Sequence, residues 1–190
     1  MPNRSAVSLV EASSTADLRE SAKMLMDEHM ALAAEELRSR YGIYDFPDNS
    51  GAMNGNFSRE AEVRVLLALD ESDGAVGVGA VRPLTGDRAE IKRMYVRSPY
   101  RALGIGAQLL DALIGLVQSE AMASVILLDT CRYMTAAQRL YRGRGFREID
   151  PYGDSEVPAR FQQHWLFFER SVWQESGGPS SSLKWRPQSY

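Results

Sequence analysis

Glu90-Ile91-Lys92-Arg93-Met94-Tyr95-Val96, a turn at Ser98-Pro99, and then Arg101-Ala102-Leu103-Gly104-Ile105-Gly106 open the stretch, residues 90–146, that decides the fold. Ile91 to Val96 reads as a strand. From Gly104 onward the apolar residues Ile105, Leu109, Leu113 and Val117 recur at every fourth position, with Leu110, Ile114 and Leu116 beside them. That spacing puts them on one face of a helix. A glycine-containing loop therefore joins a strand to a helix N-terminus. The first amides of a helix have no intrahelical acceptor, and the helix dipole places partial positive charge there. Glycines let a ligand approach the main chain closely. Such a loop suits a phosphate group; an ordinary tight connection is the competing reading.

Val125-Ile126-Leu127-Leu128 reads as a second buried strand, and the helical segment after it ends in Leu140-Tyr141, ahead of Arg142-Gly143-Arg144-Gly145-Phe146. At this point the chain resembles the GNAT superfamily of acyl-CoA-dependent N-acetyltransferases. The family's pyrophosphate loop, Gln/Arg-x-x-Gly-x-Gly/Ala, is matched by Arg101, Gly104 and Gly106. Its later Ala-x-x-Leu-Tyr and Gly-Phe elements are matched by Ala137, Leu140, Tyr141, Gly145 and Phe146. The loop alone is a weak signal, whereas both motifs in this order and at this separation are specific. The resemblance implies a GNAT-like α/β fold, with a central, mostly antiparallel mixed sheet of six to seven strands and helices on both faces.

Composition agrees. A length of 190 residues suits one domain with a sizeable core, expected over 1–175, and a flexible or docking tail at 176–190 that is rich in Gly, Pro and Ser yet carries Trp185 and Tyr190. The apolar share of 44% is that of an ordinary globular chain. A net charge of −3 offers no global basic field to nucleic acid. Cys131 is the one cysteine, which excludes an intramolecular disulfide and fits a reducing compartment. No apolar run is long enough to span a membrane, and Met1 to Ser5 lack the hydrophobic core of a signal peptide, so a cytoplasmic protein is expected.

Ala6 to Val10 reads as a first strand. Ser14 and Asp17 resemble a capping box for a helix with Leu18, Leu25 and Leu32 on one stripe and Ala22, Met26, Ala33 and Leu37 flanking it, running to about Arg38 with Gly42 beyond its end. His29 on this helix has no partner at metal-ligand spacing, and no metal site is expected. Residues 41–57 are rich in turn formers, with Tyr41, Tyr44 and Phe46 among them, and a short second helix is expected near Arg59 to Arg64. Val63 to Leu69 and Ala75 to Arg82 form a hairpin about Asp70-Glu-Ser-Asp-Gly74. Gly74, Gly77 and Gly79 mimic part of a dinucleotide fingerprint, but no helix follows them, so they mark a bulge or a close approach of backbone. Antiparallel strands followed by strand-helix-strand indicate a mixed α/β sheet. Arg147 to Ile149 and His164 to Glu169 supply the sixth and seventh strands, the last pairing back on the sixth.

Acyl transfer from a thioester to an amine sets the remaining requirements. The resemblance implies that Arg101, Ala102, Leu103, Gly104, Ile105, Gly106 and Ala107 hold the diphosphate of acetyl-CoA, the co-substrate. It implies that Met94, Tyr95 and Val96 carry the pantetheine arm and that the amide of Met94 or Tyr95 polarises the thioester carbonyl. Met134 stands beside that arm where many members have asparagine, which removes a hydrogen bond. An alkylammonium has a pKa of about 10, so a base is needed. Glu90, eleven residues before Arg101, stands where histone-acetyltransferase-like members place their catalytic glutamate; the alternative is a solvated strand glutamate paired with Lys92 or Arg88. Tyr141 matches the family's general acid, or else is core packing. His164 and Cys131 are weaker candidates for catalysis.

The expected function is transfer of an acetyl group to a small-molecule amine in a ternary complex. Tyr44, Phe46 and Tyr152 are the expected acceptor contacts. Tyr152 lies in a link, Asp150 to Phe161, a few residues longer than in related members, which unsettles any carry-over of specificity. Rival readings are a non-catalytic acyl-CoA-binding regulatory module, or the same fold using another acyl-CoA or a protein amine. Many relatives dimerise, and Trp165, Phe167 and Trp173 suit either a homodimer interface or the core.

Overall fold

The computed structural model describes residues 7–46 and 63–173. Seven strands form one sheet: β1 (Ser8–Glu11), β2 (Arg64–Asp70), β3 (Gly74–Pro83), β4 (Arg88–Val96), β5 (Val125–Cys131), β6 (Arg147–Ile149) and β7 (Trp165–Ser171). Their spatial order is β1-β2-β3-β4-β5-β7-β6, and every neighbouring pair is antiparallel except β4 with β5. Helix α1 (Ala16–Tyr41) packs on one face through Ala22, Leu25 and Met26, against Leu67, Val78 and Ala80. Helices α2 (Ile105–Ser119) and α3 (Thr135–Arg142) cover the other. The mixed α/β sheet with helices on both faces is thus present.

The every-fourth-residue reading of α2 holds, because Ile105, Leu109, Leu113 and Val117 are all buried against the sheet. The reading of α1 needs correction at both ends and on its face. Thr15, not Ser14, is the N-cap, its Oγ1 accepting from the Leu18 amide at 3.2 Å, and the helix runs on to Tyr41 before Gly42 closes it at φ 65°. Leu32 is 49% exposed. Steps of seven residues drift by about 20° each around a helix of 3.6 residues per turn, and the buried face takes Leu25 from the stripe with the expected flanking residues Ala22, Met26 and Leu37.

Gly79 marks the expected close approach: a Cβ there would stand 2.6 Å from Met94 Sδ and 2.9 Å from Leu113 Cδ1. Trp165 and Phe167 belong to the core, whereas Trp173 is 65% exposed. Arg64 opens β2 rather than closing a helix. The rest of the helix expected from Arg59, the loop beyond Phe46, the start of the first strand at Ala6 and the tail 176–190 lie outside the described residues. Among the described residues no helix is long and apolar enough to cross a membrane, and no group of His, Cys, Asp and Glu could hold a metal ion.

Candidate active site

The site is built from a fault in β4. Pairing with β3 runs Val78 to Tyr95 and then Ala80 to Lys92, so β4 carries one residue more than its partner between these pairs. Arg93 takes up the extra residue at φ 57°, an unusual conformation for a residue with a side chain. Ala89 and Ile91 before the bulge, and Met94 and Val96 after it, therefore pack on the same side, towards α2. On its other edge β4 pairs with β5 only from Arg88 with Val125 to Glu90 with Leu127. Beyond Glu90 the two parallel strands part, and among the described residues the edge of β4 at Met94, Tyr95 and Val96 has no strand beside it. An open main-chain edge of this kind offers hydrogen-bonding groups to an extended ligand.

The glycine loop lies just past the end of β4. Arg101 Nε donates to the Val96 carbonyl at 3.0 Å, and its guanidinium lies 5.9 Å from the Tyr95 ring, so it ties the loop to the strand. Ala102 and Gly104 take positive φ values of 63° and 84°. Ala107 and Gln108 turn their amides back to the Gly104 carbonyl. The amides of Gly104, Ile105 and Gly106 meet no backbone acceptor among the described residues. Among the described residues no heavy atom beyond its chain neighbours lies within 4 Å of where a Gly104 Cβ would stand, and Leu103 and Gly104 are exposed. The turn is open, with three main-chain donors at the start of a 15-residue helix, a geometry that fits a diphosphate.

Between the parted strands runs a cleft of about 600 Å³. Met30, Leu37, Tyr44, Phe46 and Trp165 give it an apolar wall, with Phe46 stacked on Trp165 at 5.1 Å. Glu90, Lys92, Arg93, Asp129 and Glu156 give it a charged end, and Met94, Met134 and Tyr141 line it as well. Of the residues expected to contact an acceptor, Tyr44 and Phe46 line this cleft. Tyr152 is buried instead, and its hydroxyl donates to Glu90 Oε1 at 2.7 Å. Met134 caps no helix amide with its side chain; its sulfur accepts from Thr130 Oγ1 at 3.5 Å.

Glu90 is 2% exposed, so it is not the solvated strand glutamate of the alternative reading. Its partner across the β3–β4 ladder, Arg82, donates to Oε2 from Nε at 2.8 Å and reaches it with Nη2 at 2.7 Å. Lys92 stands 3.6 Å from the same oxygen, while Arg88 turns away to Asp154 at 2.7 Å. Glu156 joins the cluster, 2.5 Å from Lys92 Nζ, 3.2 Å from Arg82 and 3.7 Å from Arg93. Burial raises the Glu156 carboxyl, but Lys92 and Arg82 outweigh it and hold the group below its ordinary range.

Asp129 is held differently. Its Oδ2 accepts from Ser155 Oγ at 3.2 Å and lies 3.5 Å from the Tyr152 hydroxyl. Burial, reinforced by the charge of Glu90, pushes its pKa up to about 6. Sequence reasoning missed Asp129, Arg82 and Glu156. The placing of Arg82 opposite Glu90 about the 83–87 turn was the one readable signal.

The Tyr141 ring sits in the core, 6.1 Å from the rings of Phe146 and Phe168, and also lines the cleft, so the two readings of this residue meet in one position. Burial raises its pKa, so it remains a protonated donor. Burial likewise raises the Cys131 thiol. His29 lines the cleft against Tyr95, and burial with the charges of Arg93 and Arg101 lowers it to about 4. His164 is stacked on Tyr41 at 4.3 Å, away from the cleft lining.

Residues 25–146, well over half of the chain, match the acetyltransferase (GNAT) family. The chain belongs to that family. It is 36% identical over 95 residues to an uncharacterised N-acetyltransferase of Schizosaccharomyces pombe, covering 50% of this chain and 58% of that one. It is 36% identical over 96 residues to an IAA acetyltransferase of Azospirillum brasilense, covering 48% and 60%. The matches thus span less than two-thirds of these relatives. Among solved structures, an acetyltransferase of the GNAT family from Staphylococcus aureus Mu50 superposes with a TM-score of 0.66 at 21% identity, over 88% of this chain and 99% of that one. The yncA protein of Salmonella typhimurium, solved with its cofactor acetyl-CoA, gives 0.58 at 15%, over 90% and 97%. At these identities the likeness is one of fold.

Proposed function

We propose that this chain is an N-acetyltransferase that moves an acetyl group from acetyl-CoA to the amine of a small molecule within one ternary complex. The observation that carries the reading is the open turn at Gly104, whose amides meet no backbone acceptor among the described residues and lie at the end of a strand edge, unpaired among those residues, that leads into the cleft. Arg101 to Ala107 hold the diphosphate, Met94 to Val96 hold the pantetheine arm, and Met134 borders it. An amide of Met94 or Tyr95 meets the charge that develops on the thioester oxygen. Tyr141 supplies a proton to the departing sulfur, and the acidic pair Glu90 and Asp129 serves the amine. The buried Cys131 thiol stays protonated, which supports direct transfer without an acyl-enzyme.

The apolar wall of Phe46, Trp165, Met30 and Leu37 beside a charged end supports an acceptor that joins an apolar group to an ammonium. Release of free thiol from acetyl-CoA, followed across a panel of primary amines, tests the proposal. Amine-dependent release is expected. A chain that fails to bind acetyl-CoA, or binds it and acetylates no amine, refutes it.

A further inference from the structure

We propose that the carboxylate of Asp129, on β5, is the general base that takes the proton from the acceptor ammonium. The inference rests on the acetyltransferase reading above and assigns a role within it. Glu90 is then a positioning residue.

The two carboxylates stand at the point where β4 and β5 part, since Glu90 is in the last paired position of β4 and Asp129 lies two residues beyond Leu127, its partner on β5. Both line the cleft. Their bonding differs. Glu90 receives the Arg82 guanidinium on one oxygen and the Tyr152 hydroxyl on the other, with Lys92 behind. Both Glu90 oxygens are thus already engaged, and neither is left for an incoming ammonium. Asp129 is bonded by neutral hydroxyls alone among the described residues, at Ser155 and Tyr152. These fix its orientation and leave its charge free for an incoming ammonium.

The surroundings also set its basicity. Glu90 and Lys92 face it from β4, Glu156 and Tyr152 from the link before β7, Cys131 from its own strand and Tyr141 from α3. The thiol and the two phenols are held neutral, chiefly by burial. Burial and Glu90 raise Asp129 to about 6, against the pull of Ser155 and Lys92. It is therefore ionised at neutral pH yet more basic than an ordinary aspartate, which is what general-base work near pH 7 requires. His29, at about 4, is too weak a base to compete.

The ammonium gives one proton to Asp129, which becomes a carboxylic acid, and the freed nitrogen lone pair forms a C–N bond at the thioester carbonyl carbon. As the C–S bond breaks, the Tyr141 hydroxyl gives its proton to sulfur and regains one from the nitrogen. The products are the amide and the free thiol, and Asp129 later releases its proton to water.

The test uses the full chain, acetyl-CoA and the best acceptor from a panel of alkylamines, 2-phenylethylamine and amino-acid amides. In the wild type, kcat/KM should rise with pH through about 6. Asp129→Asn should lower kcat by about 100-fold or more and abolish that limb, with acetyl-CoA affinity kept in calorimetric titration. Glu90→Gln should lower the rate but keep the limb. Asp129→Ala should regain activity on addition of formate, a response that loss of a merely structural carboxylate would not give. An Asp129→Asn enzyme with wild-type rate and limb, or a limb lost in Glu90→Gln instead, overturns the assignment and leaves the acetyltransferase reading standing. A wild-type chain that acetylates no amine overturns both.

Discussion

Tyr152 and Glu90, 62 residues apart in sequence, meet at 2.7 Å beneath the cleft, phenol donating to carboxylate, with both side chains removed from solvent. One hydroxyl thereby fastens the link between β6 and β7 to the last residue of β4 that pairs with β5. It also lies 3.5 Å from Asp129, so one phenol borders both acids. Hydrogen bonds to charged groups contribute about 1.5–3 kcal/mol. Tyr152→Phe should therefore destabilise the chain by about 2 kcal/mol in urea unfolding and should also slow acetylation. A variant unchanged in both respects would show that the contact is incidental.

Arg82 and Glu90 form the buried ion pair of the site. Removing one partner leaves an uncompensated charge, at a cost of about 3–5 kcal/mol, whereas removing both costs far less. Arg82→Met should lose about 3 kcal/mol, since Arg82 is itself partly open to water. Adding Glu90→Gln to it should restore part of the loss, and a double-mutant cycle in denaturant measures this coupling. Additive losses would contradict the pairing.

Asp129 has a pKa raised from 3.8 to about 6 by the fold, so in the window between those values the native state binds more protons than the unfolded chain. By linkage its contribution to stability is full below pH ~4 and is lost as pH rises through about 6. At pH 7.5 the charged group is a burden on the order of 3 kcal/mol. Asp129→Asn should thus be more stable than the wild type at pH 7.5 while being nearly inactive, and its advantage should shrink towards pH 4. Thermal unfolding across that range reads the trend; an advantage that grows in acid would reverse the sign and refute it.

Gly79 and Gly104 are constrained for different reasons. A methyl group at Gly79 would press on Met94 Sδ and Leu113 Cδ1, so Gly79→Ala should cost about 1–3 kcal/mol through overpacking, measured as a fall in Tm. Gly104 has open space but φ 84°. Gly104→Val should lose acetyl-CoA affinity more than it loses stability, and equal affinity would remove the phosphate role of the turn.

Tyr141→Phe keeps the ring packed between Phe146 and Phe168 and removes only the hydroxyl. Turnover should fall by about 100-fold with little change in acetyl-CoA affinity. A weaker affinity at unchanged turnover would make the residue a packing element.

Much of this architecture was legible in the sequence because it is local. The every-fourth repeat from Ile105 to Val117 needs only helix geometry, and Gly79 in a strand needs only a neighbour too close for a side chain. Leu32 was misread because a seven-residue stripe drifts around a long helix and leaves the buried face. The acidic cluster was hidden for a different reason. Arg82 meets Glu90 across the β3–β4 hairpin, but residues 129, 152 and 156 join them only once β5 lies parallel to β4 and β7 is inserted between β5 and β6. No sequence spacing encodes that order. Asp129 in particular looks like any polar residue near the end of an apolar strand until Glu90 is placed beside it.

The account depends most on the main-chain donors of the turn after Arg101, and a crystal structure of the chain grown with coenzyme A tests them directly. The diphosphate should lie within hydrogen-bond distance of the Gly104, Ile105 and Gly106 amides, with the pantetheine arm along Met94 to Val96 and its sulfur close to Tyr141. A diphosphate bound elsewhere, or an arm that leaves the cleft between β4 and β5, would contradict the account.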